Sequence, residues 1–223
     1  MATLYENYIT GDDTSAQLYG VSWRGQTFTP STAHIITSVK LLLLRVGSPG
    51  TMTVSIRATD GGGLPTGADL DSGTIDGNTL TTGAAGLWYE ITFTGYQLSA
   101  GTKYAIVIRA PSGGASNRVD YRIDGSAPTY AGGSFVYSGD SGATWAELTT
   151  NDILFEDWGI FSATAPSVTT EATTAVTATT ATGNGTVVAL GAPAATQYGH
   201  VWATFANPTT ADSKTTKGVP AAT

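Results

Sequence analysis

Alternation of apolar and polar residues is the main pattern along this chain as far as Phe161. Met52, Val54 and Ile56 alternate with polar residues between positions 51 and 58. This spacing places one face of a strand in the core and the other in water. The same period of two recurs in three further runs, 87–93, 104–109 and 118–123. The pattern therefore predicts amphipathic β-strands in all four places.

Shorter apolar runs predict further strands in the same region, at 21–28, 38–46, 72–75, 134–138 and 153–161. Glycine-rich turns separate the runs, as at Gly47 to Gly50 and at Asp60 to Gly63. Such residues tolerate the positive φ angles of tight turns. No window keeps a helical period over three turns. The sequence therefore predicts an all-β fold, an antiparallel jelly-roll-like sandwich.

The composition changes at Ser162, where a short linker at 163–167 leads into a segment rich in threonine and alanine. Strands are expected there at 175–180, 186–190 and 200–205. An immunoglobulin-like sandwich needs about seven strands and about 100 residues, which is more than this segment supplies. We expect a jelly-roll domain at 1–162 and a partial Ig-like β-sandwich module, of immunoglobulin or fibronectin-III type, at 163–223. Chain beyond Thr223 or a neighbouring subunit would complete it.

Charge and composition narrow the range of partners. The net charge is −7 and only 12% of residues are charged, so nucleic acid is not expected, because binding it requires many phosphates to be neutralised. No long apolar run or basic amphipathic stretch indicates membrane insertion. The chain has no cysteine, which excludes disulfides and thiolate metal ligands. The segment from Met1 to Glu6 lacks the features of a secretory leader, so we expect release by another route, such as lysis.

The sharpest local motif is an Asp box, S-x-D-x-G-x-x-W, formed by Ser138, Asp140, Gly142 and Trp145. Asp boxes are best known from sialidase-like propellers, where they repeat, whereas this chain has one copy. We interpret it as a structural turn, in which the Asp140 carboxylate accepts backbone N–H bonds within residues 138–145. Gly142 supplies the positive φ, and Trp145 anchors the hairpin on the core.

Catalytic constellations are missing from the sequence. The two histidines, His34 and His200, lie in different segments and in no Ser-His-Asp context. There is no H-E-x-x-H or G-x-S-x-G motif. Two carboxylates could still meet in space as a glycosidase pair, so a glycan-active enzyme stays as an alternative. We expect a protein that is not an enzyme.

Acidic residues near the two ends of the first domain are candidate metal ligands. Glu6, Asp12 and Asp157 could meet in a structural calcium site, since the ends of a sandwich domain are often adjacent and calcium takes six to eight oxygen ligands. The alternative is that they cap turns and aid solubility. A structural Ca²⁺ is the only cofactor that the sequence leaves open.

Aromatic residues beside polar ones could bind a sugar by stacking. Trp88 lies on the opposite parity from Leu87, Tyr89 and Ile91, so it is expected to be exposed. The remaining members of this candidate patch are Asp120, Tyr121, Arg122 and Tyr130. The alternative is that the tyrosines are buried in the sandwich core.

Several segments resemble known modules. RATDGGGLPTG at 57–67, with Gln26 to Phe28 before it, resembles jelly-roll modules of phage structural proteins and related surface proteins. GTKYAIV at 101–107 and the segment from Tyr130 to Trp145 do so too. The tail VTATTATGNGTV at 176–187 is similar to the opening of fibronectin-III-like or Ig-like repeats, with Trp202 at their core tryptophan position.

The resemblance implies a structural protein at the virion surface of a bacteriophage, as a capsid decoration, tail fibre or adhesin component. It would assemble with other virion subunits, as a homo-oligomer, and could bind a cell-surface glycan. The alternative is a carbohydrate-binding module of a secreted or bacterial cell-surface protein. Fold class alone does not decide between these functions.

Overall fold

The computed structural model describes residues 1–191 and 194–220, and the chain divides into two compact units, Met1–Phe161 and Ser162–Thr223. The second unit begins at Ser162, where the composition changes and one residue before the predicted domain boundary. The described residues form strands and turns without an α-helix, apart from a short 3-10 turn at Gly77–Thr79. Within those residues no helix is long and apolar enough to cross a membrane.

The first unit contains thirteen strands. They are β1 (Thr3–Tyr8), β2 (Thr14–Leu18), β3 (Trp23–Phe28), β4 (His34–Val46), β5 (Thr51–Thr59), β6 (Pro65–Asp76), β7 (Leu87–Leu98), β8 (Tyr104–Arg109), β9 (Arg118–Asp124), β10 (Phe135–Ser138), β11 (Ala146–Leu148), β12 (Asp152–Ile153) and β13 (Phe155–Phe161).

Two antiparallel sheets make up the first unit. The seven-stranded sheet has the order β1-β13-β4-β9-β12, with β2 added on β9 and β7 added on β4. The six-stranded sheet has the order β11-β10-β3-β8-β5-β6. Every strand pairing in both sheets is antiparallel. The predicted fold class, an all-β antiparallel sandwich, is therefore confirmed.

The core of the first unit lies between these sheets and is built from alternate residues of the predicted strands. Met52, Val54 and Ile56 of β5 are fully buried, as their alternation predicts. These β5 side chains belong to one hydrophobic cluster with Phe28 and Phe155, which are among the largest fully buried side chains. Full burial of such a side chain contributes about 1.5–3 kcal/mol to folding, so this cluster supplies the main drive for closing the sandwich.

Three strands of the first unit, β1, β2 and β11, were not predicted. In β1 the pairing register shifts between Leu4 and Glu6, and a bulge of this kind breaks the period-two pattern that marks a strand. β11 has only three residues, which is too short for periodicity to be read.

The second unit, taken by itself, contains two small sheets. Ser167–Thr174 (β14) pairs with Thr182–Ala189 (β15), and Val201–Trp202 (β16) pairs with Ser213–Lys214 (β17). The strand predicted at 175–180 is wrong, because this segment is the turn between β14 and β15, where Ala175 has a φ of 50°. Trp202 is 52% exposed, so the core position expected for it is wrong as well.

Candidate functional site

The outer face of the seven-stranded sheet, turned away from the core, carries an unusual set of side chains for a strand surface. In β4, Val39, Leu41 and Leu43 point into the core, so Lys40 and Leu42 between them lie on the outer face. Directly opposite residues of paired strands share a face, which identifies the neighbours on β7, β13 and β9. We call this surface the Trp88 face. It consists of Lys40, Leu42, Leu44, Trp88, Glu90, Arg118, Asp120, Arg122, Glu156 and Trp158.

Trp88 is the aromatic anchor of this face. It is paired with Leu42 across β4 and β7, and 38% of its surface is exposed. The sequence prediction that Trp88 is exposed is therefore confirmed. An exposed indole held beside an apolar floor offers a flat ring on which another ring can stack.

A row of charged residues runs next to Trp88. Glu90 lies opposite Lys40, which in turn lies opposite Glu156. The Lys40 ammonium is 3.6 Å from Glu156 Oε2 and 4.4 Å from the centroid of the Trp158 ring. The Trp158 indole N–H donates to Glu156 Oε2 at 2.6 Å, and the Ser38 hydroxyl donates to Glu90 Oε1 at 2.6 Å. These contacts fix the side chains before any ligand arrives, which lowers the entropic cost of binding.

Arg122 forms the other side of the face. Its Nε donates to Asp12 Oδ1 at 2.6 Å, and its Nη1 donates to the carbonyl oxygen of Ala84 at 3.4 Å. Ala84 belongs to the turn that leads into β7 and Trp88. On the same strand, Arg118 Nε donates to Asp120 Oδ1 at 2.8 Å. Arg118, Asp120 and Arg122 of β9 are thus held in ion pairs.

The structure brings together only part of the predicted ligand-binding set. Trp88, Asp120 and Arg122 share the Trp88 face. Tyr121 is 1% exposed and stacks on Phe135 in the core, at 6.4 Å between ring centroids. Its predicted stacking role is wrong, because its position on β9 is one residue out of phase with Asp120.

Tyr130 does not lie on the Trp88 face either. Its ring packs edge-on against Phe155, with 5.2 Å between centroids, and its hydroxyl is buried. Burial raises the pKa of this hydroxyl far above its ordinary value. The predicted sugar-stacking role for Tyr130 is therefore wrong, and the core position weighed as the alternative is what the structure has.

Lys40, Glu90, Glu156 and Trp158 were missed by sequence reasoning. The run from Leu41 to Leu44 hides the alternation of β4, so Lys40 gives no signal as an outward residue. The convergence of Glu90 and Glu156 on Lys40 depends on the register between distant strands. A pattern within one strand carries no information of this kind.

The predicted calcium site at Glu6, Asp12 and Asp157 is not formed. Asp12 pairs with Arg122, Glu6 Oε1 accepts the Ser31 backbone N–H at 2.7 Å, and Asp157 bonds to His34. Across residues 1–191 and 194–220, no group of three or more carboxylates and histidines is placed to hold a metal ion. The three carboxylates bond to three different partners rather than converging on one site.

His34 and Asp157 form a fully buried pair within the first unit. His34 Nε2 lies 2.9 Å from Asp157 Oδ2, His34 Nδ1 lies 2.9 Å from the Thr32 carbonyl oxygen, and Tyr5 stacks on the imidazole at 3.8 Å. Burial opposes the charge on His34, but the hydrogen bond and charge of Asp157 outweigh it, so the pKa of His34 is raised. Burial also raises the pKa of Asp157. Since both side chains are fully buried, the pair serves packing rather than ligand contact.

The Asp box forms the predicted structural turn. Asp140 Oδ1 accepts the Thr144 backbone N–H at 2.9 Å, Oδ2 accepts the Thr144 hydroxyl at 2.6 Å, and the Ser138 hydroxyl also donates to Oδ1. These hydrogen bonds lower the pKa of Asp140 to about 2. Gly142 has a φ of 83°, as predicted. The prediction for this motif is confirmed in its hydrogen bonds and turn conformation. Trp145 is half-buried but is not part of the core cluster, so its predicted anchoring on the core is wrong.

The Asp-box turn covers Trp23 on the outer side of the six-stranded sheet. A Cβ atom on Gly142 would lie 2.7 Å from the Trp23 ring. The guanidinium groups of Arg57 and Arg109 lie 5.2 and 4.8 Å from the centroid of the same ring, and both bond to Asp69. Burial would raise the pKa of Asp69, but the hydrogen bonds from Arg109 and Arg57 outweigh it and lower the pKa. Because this cluster covers the Trp23 ring, Trp23 does not offer a stacking surface. The exposed ring of Trp88 does, so the Trp88 face is the candidate site.

Comparisons with known proteins give a limited result. No protein-family model matches the chain, and a comparison with curated proteins finds no match. One similar solved structure contains the cysteine protease and lectin-like domains of Cwp84, a surface layer associated protein of Clostridium difficile. It has 12% identity and a TM-score of 0.47, over 72% of this chain. The match spans 36% of that chain.

Proposed function

We propose that the first unit is a non-catalytic carbohydrate-binding β-sandwich and that the Trp88 face is its binding surface. The observation that carries the proposal is the exposed indole of Trp88 beside charged side chains that are already fixed in ion pairs. An indole stacks on the apolar face of a sugar ring, while fixed polar groups bond to its hydroxyls and orient it. A flat sheet surface suits a glycan chain that lies along it.

The carboxylates of the face support binding rather than hydrolysis. A glycosidase needs one carboxylic acid kept protonated in an apolar environment and a second carboxylate across the scissile bond. Glu156 faces the Lys40 ammonium and the Trp158 indole N–H, and Asp120 and Asp12 each face a guanidinium group. These three carboxylates therefore lie beside cations and N–H donors rather than in the apolar environment that a general acid needs.

A Trp88→Ala variant tests the proposal on a glycan array. We expect the full chain to bind a set of glycans. Trp88→Ala should bind the same glycans at least about tenfold more weakly, because the loss of ring stacking and apolar contact removes more than 1 kcal/mol. Tyr137→Ala is the matched control, since Tyr137 is also an exposed aromatic residue but lies on β10 of the six-stranded sheet. The proposal fails if no glycan is retained or if Trp88→Ala binds like the unaltered chain.

A second candidate function, assembly, is favoured by the second unit. Val168, Val176, Trp202 and Phe205 are all exposed there. Contiguous apolar surface and unpaired strand edges attract other chains. We propose that this unit joins subunits, as a virion fibre, decoration protein or bacterial surface protein would require. The bacteriophage and bacterial-surface settings both remain proposals.

A further inference from the structure

The Trp88 face and the adjoining Asp12 together hold more carboxylates than cations. Each of the three cations is paired with a carboxylate: the Lys40 ammonium lies 3.6 Å from Glu156, Arg118 donates to Asp120 at 2.8 Å, and Arg122 donates to Asp12 at 2.6 Å. Glu90 is a fourth carboxylate, and its partner is the hydroxyl of Ser38. Counted together with Asp12, which adjoins the face through Arg122, the surface holds four carboxylates and three cations, an excess of one negative charge.

An acidic glycan would meet two obstacles on this face. A carboxylate, sulfate or phosphate would have to share each cation with the carboxylate that already neutralises it, or displace that carboxylate and leave it unpaired in a partly buried position. The exposed Glu90 would also repel the incoming anion, and like charges placed together are a strong source of discrimination between ligands.

Uncharged groups on the same face suit a ligand without acidic groups. Asn7 lies opposite Glu156, Gln17 lies opposite Asp120, and both are exposed. Amide side chains donate and accept hydrogen bonds at once, which matches the hydroxyl and N-acetyl groups of sugars. Trp88 supplies the stacking surface, which needs no charge on the ligand.

We infer that the Trp88 face selects glycans that lack carboxylate, sulfate and phosphate groups. The inference rests on the proposed function, since it names the class of glycan that this face accepts. The three ion pairs act as a filter: they supply hydrogen-bonding atoms to a neutral sugar but no free cation to an acidic one.

The test uses a glycan array that holds neutral glycans together with sialylated, sulfated and uronic acid glycans, probed with the full chain, Trp88→Ala and Asp12→Asn. We expect the retained glycans to be non-acidic, with acidic analogues of the same backbone bound about tenfold or more weakly. Asp12→Asn removes the carboxylate that holds Arg122. This variant should narrow the difference several-fold, because it frees a cation for the ligand.

The outcomes separate the inference from the proposed function. Retention of acidic glycans that is lost in Trp88→Ala would overturn the inference and leave the proposed function standing. No retention of any glycan would overturn both. Discrimination that is unchanged in Asp12→Asn would overturn the assignment of the filter to the Arg122 ion pair. Non-acidic binding that is lost in Trp88→Ala and relaxed in Asp12→Asn would support it.

Discussion

At the scale of single residues, the surroundings of two carboxylates in the first unit shift their pKa values in opposite directions. Asp140 is exposed and accepts hydrogen bonds from Thr144 and Ser138, so its pKa falls to about 2. Asp157 is fully buried, so its pKa is raised despite the hydrogen bond from His34. The first group stays ionised in its turn, whereas the second shares a proton with its partner.

The contacts of His34 show where that proton is held. A carbonyl oxygen only accepts hydrogen bonds, so Nδ1, at 2.9 Å from the Thr32 oxygen, must carry a hydrogen. Nε2 faces Asp157 at 2.9 Å, and this contact is favourable only with a proton between the two groups. Glu6 adds a further negative charge nearby, which also raises the pKa of His34. The folded protein therefore holds this proton more tightly than an unfolded chain.

Stability should accordingly depend on pH through His34. The unfolded histidine loses its proton near pH 6.5, whereas the folded one keeps it to higher pH. The stabilisation is fully present below pH 6.5 and is lost as the pH rises through the folded pKa. We expect an NMR titration to place the pKa of His34 above its ordinary value. Melting temperatures should fall over this range in the unaltered chain and in His200→Gln, but less steeply in His34→Gln. A pKa of His34 below 6.5 would contradict this account.

At the scale of elements, the hairpin of β10 and β11 depends on close contact with Trp23. The Asp box bends the chain so that Gly142 lies flat on the indole, while Arg57 and Arg109 also contact the ring. A side chain at position 142 would have to displace a ring that is held in this way. The hairpin thus uses glycine both for its backbone angle and for the space that it leaves.

Two glycines of this turn should respond differently to substitution by alanine. Gly142→Ala places a Cβ atom 2.7 Å from the Trp23 ring at a φ of 83°, so we expect a loss of about 1–3 kcal/mol in the free energy of unfolding. Gly139→Ala meets nothing within 4 Å and should be close to neutral. Denaturant unfolding of both variants measures the difference. Equal stability of the two would contradict the packing described for Trp23.

The sequence predicted elements well where one face of a strand is buried and the other is wet. β5, β7 and β9 show this, and the same alternation placed Trp88 and Arg122 on the outer face. The signal is lost in β4, where Leu42 and Leu44 are buried on the outer side as well. The partners of Lys40 could not be predicted, because they come from β7 and β13 and depend on register rather than on local pattern.

At the scale of the whole molecule, the two units differ in how they are stabilised. Residues 162–223 contain two lysines and two carboxylates, so the net charge of −7 belongs to residues 1–161. The first unit has a buried core of aliphatic and aromatic side chains. In the second unit every residue of β14 is exposed. Its strands are therefore held mainly by backbone hydrogen bonds that water can reach.

Hydrogen exchange should reveal this difference directly. We expect amides of β8 to exchange only on global unfolding and amides of β14 and β15 to exchange orders of magnitude faster, because exposed strands open locally at little cost. Dilution should leave β8 unchanged. If the second unit joins subunits, protection of β14 and β15 should rise with protein concentration, together with the solution mass. Full protection of these strands in a monomer would contradict the assembly proposal.

The pairing of β1 with β13 has a consequence for how the first unit can be used. Thr3 lies opposite Gly159, so the chain enters and leaves the unit at neighbouring points, with Cα atoms about 5 Å apart. Domains with adjacent ends tolerate insertion into other proteins and circular permutation. Such a unit can be inserted into a surface loop of another protein, or repeated along a chain, without distorting the structure on either side. The glycan binding proposed for its Trp88 face would then be kept in the new setting.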